Sequence, residues 1–323
     1  MPVAHMLNAL EAEIATLRYG QHPPELYEPI RYIMELGGKR MRPLLTLLSS
    51  SLFTDTWQSF LHPAIAVEVF HNFTLMHDDI MDAAPLRRGK PTVHVKWSSS
   101  AAILSGDVML VAAYELLADI PDGSLRQILK KFNRCAAEVC EGQQLDMNFE
   151  ARTNVSEAEY LNMIRLKTAV LLGFSLELGA ILAGASEQDC QLLYEAGVNT
   201  GIGFQLKDDL LDVFGDAAKF GKQVGGDIIA NKKTFLLIEA LQRADGKQRE
   251  QLDYWLQAKI FDSREKVEAV TGVYNQLGIR ELTEAKMNEY FTLGLQALAQ
   301  ASPPSKRKQP LQDFVEKLIY REN

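Results

Sequence analysis

The chain has 323 residues, ample for a large buried core and long for a single domain. Apolar residues make up 47% and charged residues 24%, the balance of an ordinary globular protein. The net charge of −8, with no basic run longer than Lys306-Arg307-Lys308, argues against nucleic acid as a partner.

Glu11 and Glu13 fall where a signal peptide would be apolar, so the N-terminus is read as part of the fold. From there on apolar residues recur every three or four positions, with no alternating β-branched run and no Asn-Gly hairpin signal. The expectation is an all-α fold of ten or more helices. Breaks are expected at Gly20–Pro24, Gly37–Pro43, Ala83–Pro91, Pro121–Gly123, Thr153–Ser156, Gly215–Gly226, Ala244–Gly246 and Ser302–Pro310. No Pro/Gly/Ser-rich linker divides the chain, so residues 1–323 are read as one domain, with SPPSKRKQP (302–310) as its expected mobile loop. Cys135, Cys140 and Cys190 form no zinc pattern, and their odd number argues against a disulfide framework. A reducing, cytoplasmic compartment is expected. The longest apolar stretch, Ala169–Ala185, contains Glu177, Ser175 and three glycines and is short for a span. It reads as a buried core helix, and no membrane span is expected.

The first chemical motif along the chain is Gly37-Gly38-Lys39-Arg40-Met41-Arg42-Pro43. A glycine turn followed by three cations offers a diphosphate site. Read alone it fits equally well a solvated loop after a helix C-cap. Next comes Asp78-Asp79-Ile80-Met81-Asp82. Positions i, i+1 and i+4 of a helix project from one side, which places three carboxylates together. Apolar flanks imply burial, and crowded carboxylates in such a setting need cations. Oxygen-only ligands suit Mg²⁺, and Asp78 and Asp82, one turn apart, can bracket it. Arg87-Arg88-Gly89-Lys90 follow at once, supplying guanidiniums for phosphate oxygens; the bland reading is an ion-paired helix end. His71 lies two turns before Asp78 and can line the same cleft, although a lone histidine is more often structural.

Ser156 and Glu159 form a capping-box pattern for the helix carrying Arg165, Lys167 and Thr168. The acidic pattern then repeats about 130 residues after the first copy, as Asp208-Asp209-Leu210-Leu211-Asp212 within Phe204–Asp212. Gly221-Lys222, Gly225-Gly226-Asp227 and Lys232-Lys233-Thr234 come after it, a glycine-rich loop with lysines that can reach phosphate. Each lysine alone reads as a surface residue.

In this order, GGKRMRP (37–43), DDIMD with RRGKPTVH (78–94), GQQLD (142–146), KT (167–168), FQLKDDLLD (204–212), GK (221–222), GGD (225–227) and KKT (232–234), the chain resembles the trans-isoprenyl diphosphate synthases, the polyprenyl synthetase family. The resemblance covers nearly the whole chain. It implies helices around a deep central cavity, a homodimer, and three Mg²⁺ held mainly by Asp78, Asp82 and Asp208, with Asp79 and Asp212 in support and Asp209 in the same catalytic motif. It implies an allylic diphosphate on Arg87, Lys167, Thr168, Gln205, Lys222 and Lys232, with Lys233 an alternative to Lys232. It implies isopentenyl diphosphate on Lys39, Arg42, His71 and Arg88. The implied reaction is head-to-tail prenyl transfer. Product length would be set on the helix leading to Asp78 by Phe73, Thr74 and Phe70. One aromatic five residues before the motif, with no insertion inside it, resembles producers of C20 chains, and C15 is the alternative. A terpene cyclase and a non-catalytic subunit of a heteromeric synthase are the rival functions. The second acidic motif and GGKRMRP speak against the first, and two intact acidic motifs against the second.

Overall fold

A computed structural model describes residues 2–120, 122–215 and 225–320. The chain is all-α, as expected. In chain order the helices are α1 (Pro2–Thr16), α2 (Pro24–Glu35), α3 (Met41–Ser50), α4 (Leu61–Met81), α5 (Val93–Lys96), α6 (Ser99–Ala118), α7 (Asp122–Glu150), α8 (Glu157–Ile164), α9 (Val170–Leu182) and α10 (Glu187–Phe214). Beyond the glycine-rich stretch come α11 (Gly226–Ile229), α12 (Phe235–Arg243), α13 (Gly246–Gln257), α14 (Ser263–Gln276), α15 (Ile279–Gln300) and α16 (Ser305–Tyr320). A 3₁₀ turn (Trp57–Phe60) leads into α4, and a π-helical turn (Arg165–Ala169) joins α8 to α9.

Two compact units are present: residues 1–134, 171–194 and 299–312 in the first, residues 135–170, 195–298 and 313–323 in the second. The first is built on α4, whose Ile65, Val67, Val69, Phe70 and Met76 are buried. Burying a side chain of this size stabilises by roughly 1.5–3 kcal/mol. α9, the apolar stretch read as a core helix, is buried along its length. Its Glu177 is held by Lys131 at 2.6 Å. In the second unit, Leu236, Leu252, Val273, Tyr274 and Ile279 form one core cluster, and Phe149, Tyr160, Leu206 and Phe235 belong to another.

Three local features differ from the sequence expectations. SPPSKRKQP is not a loose loop: Ser302 donates to Asp189 through its backbone N–H and its hydroxyl, both at 2.7 Å, and α16 starts at Ser305. Lys308 donates to the carbonyls of Ala299 and Ala301, satisfying acceptors at the end of α15 that the helix itself leaves open. Polar composition concealed an anchored turn. The break after α4 contains a two-residue antiparallel ribbon, Leu86–Arg87 with Lys90–Pro91, turned at Arg88-Gly89 with φ of 52° and 73°. Its signal is the glycine, which adopts positive φ readily. Finally, α6 rather than Ala169–Ala185 is the one helix among the described residues that is long and apolar enough to cross a membrane by length and composition. Its Ile103, Leu104, Val111 and Tyr114 are exposed.

Candidate active site

The first acidic motif ends α4. Successive helical residues are rotated by about 100°, so Asp79 turns inward from Asp78 and is 2% exposed. The expected cluster of three carboxylates therefore divides into a buried middle residue and two more accessible outer ones. Arg87, delivered by the ribbon, grips Asp79 with Nε at 2.8 Å and an η-nitrogen at 2.7 Å, the bidentate fork that guanidinium and carboxylate favour. Asp78 stays partly exposed, and Asp82, the C-cap of α4, is exposed.

A second group in the same unit gathers around the glycine turn. Arg88 donates to the Gly37 carbonyl. A Cβ at Gly38 would lie 3.0 Å from the Arg88 guanidinium, at a φ of 143° that disfavours other residues. Arg42 approaches His71 Nε2 at 3.1 Å. Desolvation, then the Arg42 and Arg88 charges, hold the His71 pKa well below the ordinary value. The imidazole is thus neutral, with Nε2 accepting from Arg42 and the proton on Nδ1. Lys39 is exposed, two residues before α3. Arg40, equal to its neighbours in the sequence, has another task. It is 4% exposed and binds Glu11, Glu68 and the Met34 carbonyl.

On the helix before Asp78, Phe73 and Phe70 stand in ring contact at 5.6 Å, and Phe70 meets Phe132 of α7 at 5.1 Å. Phe132 also packs on Tyr114 and Phe174. The aromatic column thus extends onto α6, α7 and α9, which spacing along α4 alone could not reveal. Thr74 bonds back to the His71 carbonyl.

In the second unit the capping box forms: Glu159 N–H donates to the Ser156 hydroxyl, and Ser156 N–H to the Glu159 carboxylate. It starts α8, which passes into the π turn presenting Lys167 and Thr168. Such turns free backbone groups and recur at functional sites. Gly142 of α7 makes room for it, since a Cβ there would lie 2.2 Å from the Lys167 nitrogen. Lys167 pairs with Asp146, the last residue of GQQLD. The Thr168 hydroxyl donates to Gln205 at 3.3 Å, and Gln205 in turn donates to Asp209 at 3.2 Å. Asp209 is 5% exposed, and the Tyr160 hydroxyl also donates to it. Burial first, then the nearby Asp227, push its pKa up to about 8. Asp208 is exposed and Asp212 partly so. Asp212 accepts from the Asp227 N–H at 2.9 Å, and its carbonyl from the Gly225 N–H at 2.6 Å. Lys232 lies 3.5 Å from Asp227, whereas Lys233 is half-buried and donates to the Asn231 carbonyl. Gly221 and Lys222 lie outside the described residues.

Sequence reasoning missed Tyr160, Lys207 and Gln143. Lys207 donates to the Leu318 and Ile319 carbonyls, holding the end of α16 to α10. Gln143 is buried, and among the described residues neither of its amide atoms has a hydrogen-bond partner. No side-chain spacing marks such tertiary contacts.

Among the described residues, no three His, Cys, Asp or Glu side chains gather into a preformed metal cage. Mg²⁺ bound together with a diphosphate takes one or two carboxylates and fills its octahedron with phosphate oxygens and water. The partly exposed Asp78 and exposed Asp82, one turn apart, and the exposed Asp208 are donors of this kind.

Comparison with known proteins agrees with the fold and the motifs. The polyprenyl synthetase family matches residues 23–274. A geranylgeranyl pyrophosphate synthase of Geoglobus acetivorans is 44% identical over 71% of this chain and 72% of its own. A crystal structure of a geranylgeranyl pyrophosphate synthase, also 44% identical, superposes with a TM-score of 0.92 over 99% of this chain and 98% of the other. A polyprenyl synthase of Caulobacter crescentus, solved with calcium and isoprenyl diphosphate, is 28% identical with a TM-score of 0.88 over 99% and 97% of the two chains. The architecture is that of the all-α isoprenyl synthases. The chain belongs to the polyprenyl synthetase family.

Proposed function

We propose that this protein is a Mg²⁺-dependent short-chain trans-prenyltransferase that joins isopentenyl diphosphate head-to-tail to an allylic diphosphate, ending at C20, with C15 the alternative. The observation that carries the reading is the cationic group around the Gly37–Gly38 turn. Arg42, His71 and Arg88 stand there beside an acidic motif that has its own arginine in Arg87. A cyclase acting on one prenyl diphosphate needs no second anion site. The relatives named as geranylgeranyl synthases support the same reading.

In this account Asp78, Asp82 and Asp208 hold three Mg²⁺, with Asp79 and Asp212 in support. The metal supplies Lewis-acid stabilisation of the departing diphosphate. Arg87, Lys167, Thr168, Gln205, Lys222 and Lys232 hold the allylic diphosphate. Lys232 is preferred over Lys233 because it shares a side with Asp227, which is tied to Asp212. Lys39, Arg42, neutral His71 and Arg88 hold isopentenyl diphosphate. These cations stabilise negative charge that grows as the allylic C1–O bond breaks. The isopentenyl double bond then bonds to C1, and the released diphosphate takes the proton lost from the adjacent carbon. Exclusion of water protects the cation. The aromatic column headed by Phe73 and Phe70, with Thr74 beside them, stops growth.

We further propose that the two compact units belong to one domain over residues 1–323 and that the enzyme is a cytoplasmic homodimer. The exposed apolar residues of α6 supply a surface for pairing, and the three cysteines are unbridged. The deciding experiment is incubation with Mg²⁺, isopentenyl diphosphate and each of dimethylallyl, geranyl and farnesyl diphosphate, with products sized after dephosphorylation. A C20 alcohol is expected from all three starters, and chelation of Mg²⁺ abolishes it. Cyclic hydrocarbon from a prenyl diphosphate alone, with no elongation, would replace the reading by a cyclase.

A further inference from the structure

Lys266 of α14 is fully buried, at 0% exposure, and among the described residues no carboxylate pairs with it. A buried ammonium is costly unless its three donors are met. Two donate to the Asn231 side-chain oxygen at 2.7 Å and the Ile229 carbonyl at 3.2 Å. The ammonium also lies 4.3 Å from the centre of the Phe261 ring, within cation–π range. Burial lowers its pKa.

Both acceptors belong to the segment that carries Asp227 and Lys232. The Ile229 carbonyl is one that the short α11 leaves open at its C-terminus. Asn231 sits at φ 55° and also donates to the Leu256 carbonyl of α13 at 3.3 Å. It therefore bridges α13 and α14, in a conformation asparagine tolerates better than most residues. The next residue is Lys232, whose N–H donates to the Asp227 carbonyl at 3.0 Å. Asp227 in turn donates its N–H to the Asp212 carboxylate. One chain of bonds thus runs from Lys266 through the Ile229–Lys232 turn to the second acidic motif.

We propose that Lys266 is a positioning residue for the allylic-diphosphate site: its ammonium holds the Gly226–Lys232 turn and so sets where Lys232 and Asp227 stand relative to Asp212. The inference rests on the reading of Lys232 as a diphosphate contact. Lys266 acts through Lys232, so its effect is specific to the allylic substrate. Isopentenyl diphosphate, assigned to residues of the other unit, is insensitive to it.

The experiment is steady-state kinetics with each substrate varied in turn, on Lys266→Met, Lys232→Ala, the double variant and Asn231→Gly. Methionine keeps the length of the side chain and removes the ammonium. Lys266→Met is expected to raise the allylic KM about tenfold and to change the isopentenyl KM less than about twofold. The double variant should match Lys232→Ala alone, because residues acting as one unit are not additive. Asn231→Gly accepts the positive φ and removes the acceptor, so it should reproduce the same split even where Lys266→Met fails to fold. An unchanged allylic KM in Lys232→Ala would defeat the underlying reading of Lys232. An effect there with none in Lys266→Met or Asn231→Gly would overturn the positioning role alone. Equal rises in both KM values, or additive losses in the double variant, would make Lys266 merely structural and overturn it too.

Discussion

The two acidic motifs share a pattern but not an electrostatic design. In each, the middle aspartate turns into the protein while the outer two stay more accessible. Asp79 meets a guanidinium, with Arg87 gripping it through two bonds. Among the described residues Asp209 meets neutral donors, Tyr160 and Gln205, and its pKa rises to about 8. Their surroundings differ as well. An aromatic column precedes the first motif, whereas Gln205, Thr168 and Lys167 stand beside the second. A repeated motif in sequence is therefore not a repeated site. The outer carboxylates are the equivalent parts, and the middle residues are fitted to their own walls.

The largest test of this division is at the outer positions. Asp78→Ala or Asp208→Ala should lower turnover about a thousandfold, since losing a metal donor removes several kcal/mol of transition-state stabilisation. Thermal midpoints should change little, because neither side chain is buried. Near-normal turnover in either variant would break the metal assignment and with it the equivalence of the outer carboxylates.

The second test concerns what precedes each motif. Phe73→Ala opens the head of the column on the first helix and should shift the product by one isoprene unit or more. Phe70 and Phe132, in continuous ring contact behind it, limit the extension. Product sizing reads the outcome directly, and an unchanged distribution would place the stop elsewhere. Phe204→Ala, four residues before the second motif, should leave product length alone. A lengthened product there would erase the contrast between the two helices.

Much of this was legible in the sequence because it is local. Helical periodicity, the Ser156–Glu159 capping box and both acidic motifs depend on residues within a turn or two of one another. What the spacing could not carry was tertiary. Arg40 is indistinguishable in sequence from Arg42, yet one forms a buried ion pair with Glu68 and a second pair with the exposed Glu11, and the other faces His71. The Lys308 anchor turned a polar segment into a fixed helix start. The inward turn of Asp79 and Asp209 follows from helix geometry, but Arg87 comes from the ribbon and Tyr160 from α8. Gly142 shows the reverse case: a motif residue whose reason appears only when the π turn is seen packed against it.

The smallest and sharpest test removes charge from each middle aspartate without changing its shape. Asp79→Asn leaves Arg87 without its carboxylate and should destabilise the metal-free protein by about 1–3 kcal/mol. This figure is kept below that of a fully buried pair because Arg87 is itself 26% exposed. Asp209→Asn should do the opposite. A carboxyl whose folded pKa is raised takes up a proton on folding. Its contribution is most favourable below the unfolded value near 4 and is lost as pH rises toward its folded pKa of about 8. Asparagine still accepts from Tyr160 and carries no charge to desolvate. The stability of Asp209→Asn relative to the parent should therefore increase between about pH 4 and pH 8 and level off above, in chelator-treated protein followed by thermal or urea unfolding. A flat difference across that range would mean that Asp209 is ionised at its ordinary pKa, and that the two middle aspartates are alike after all.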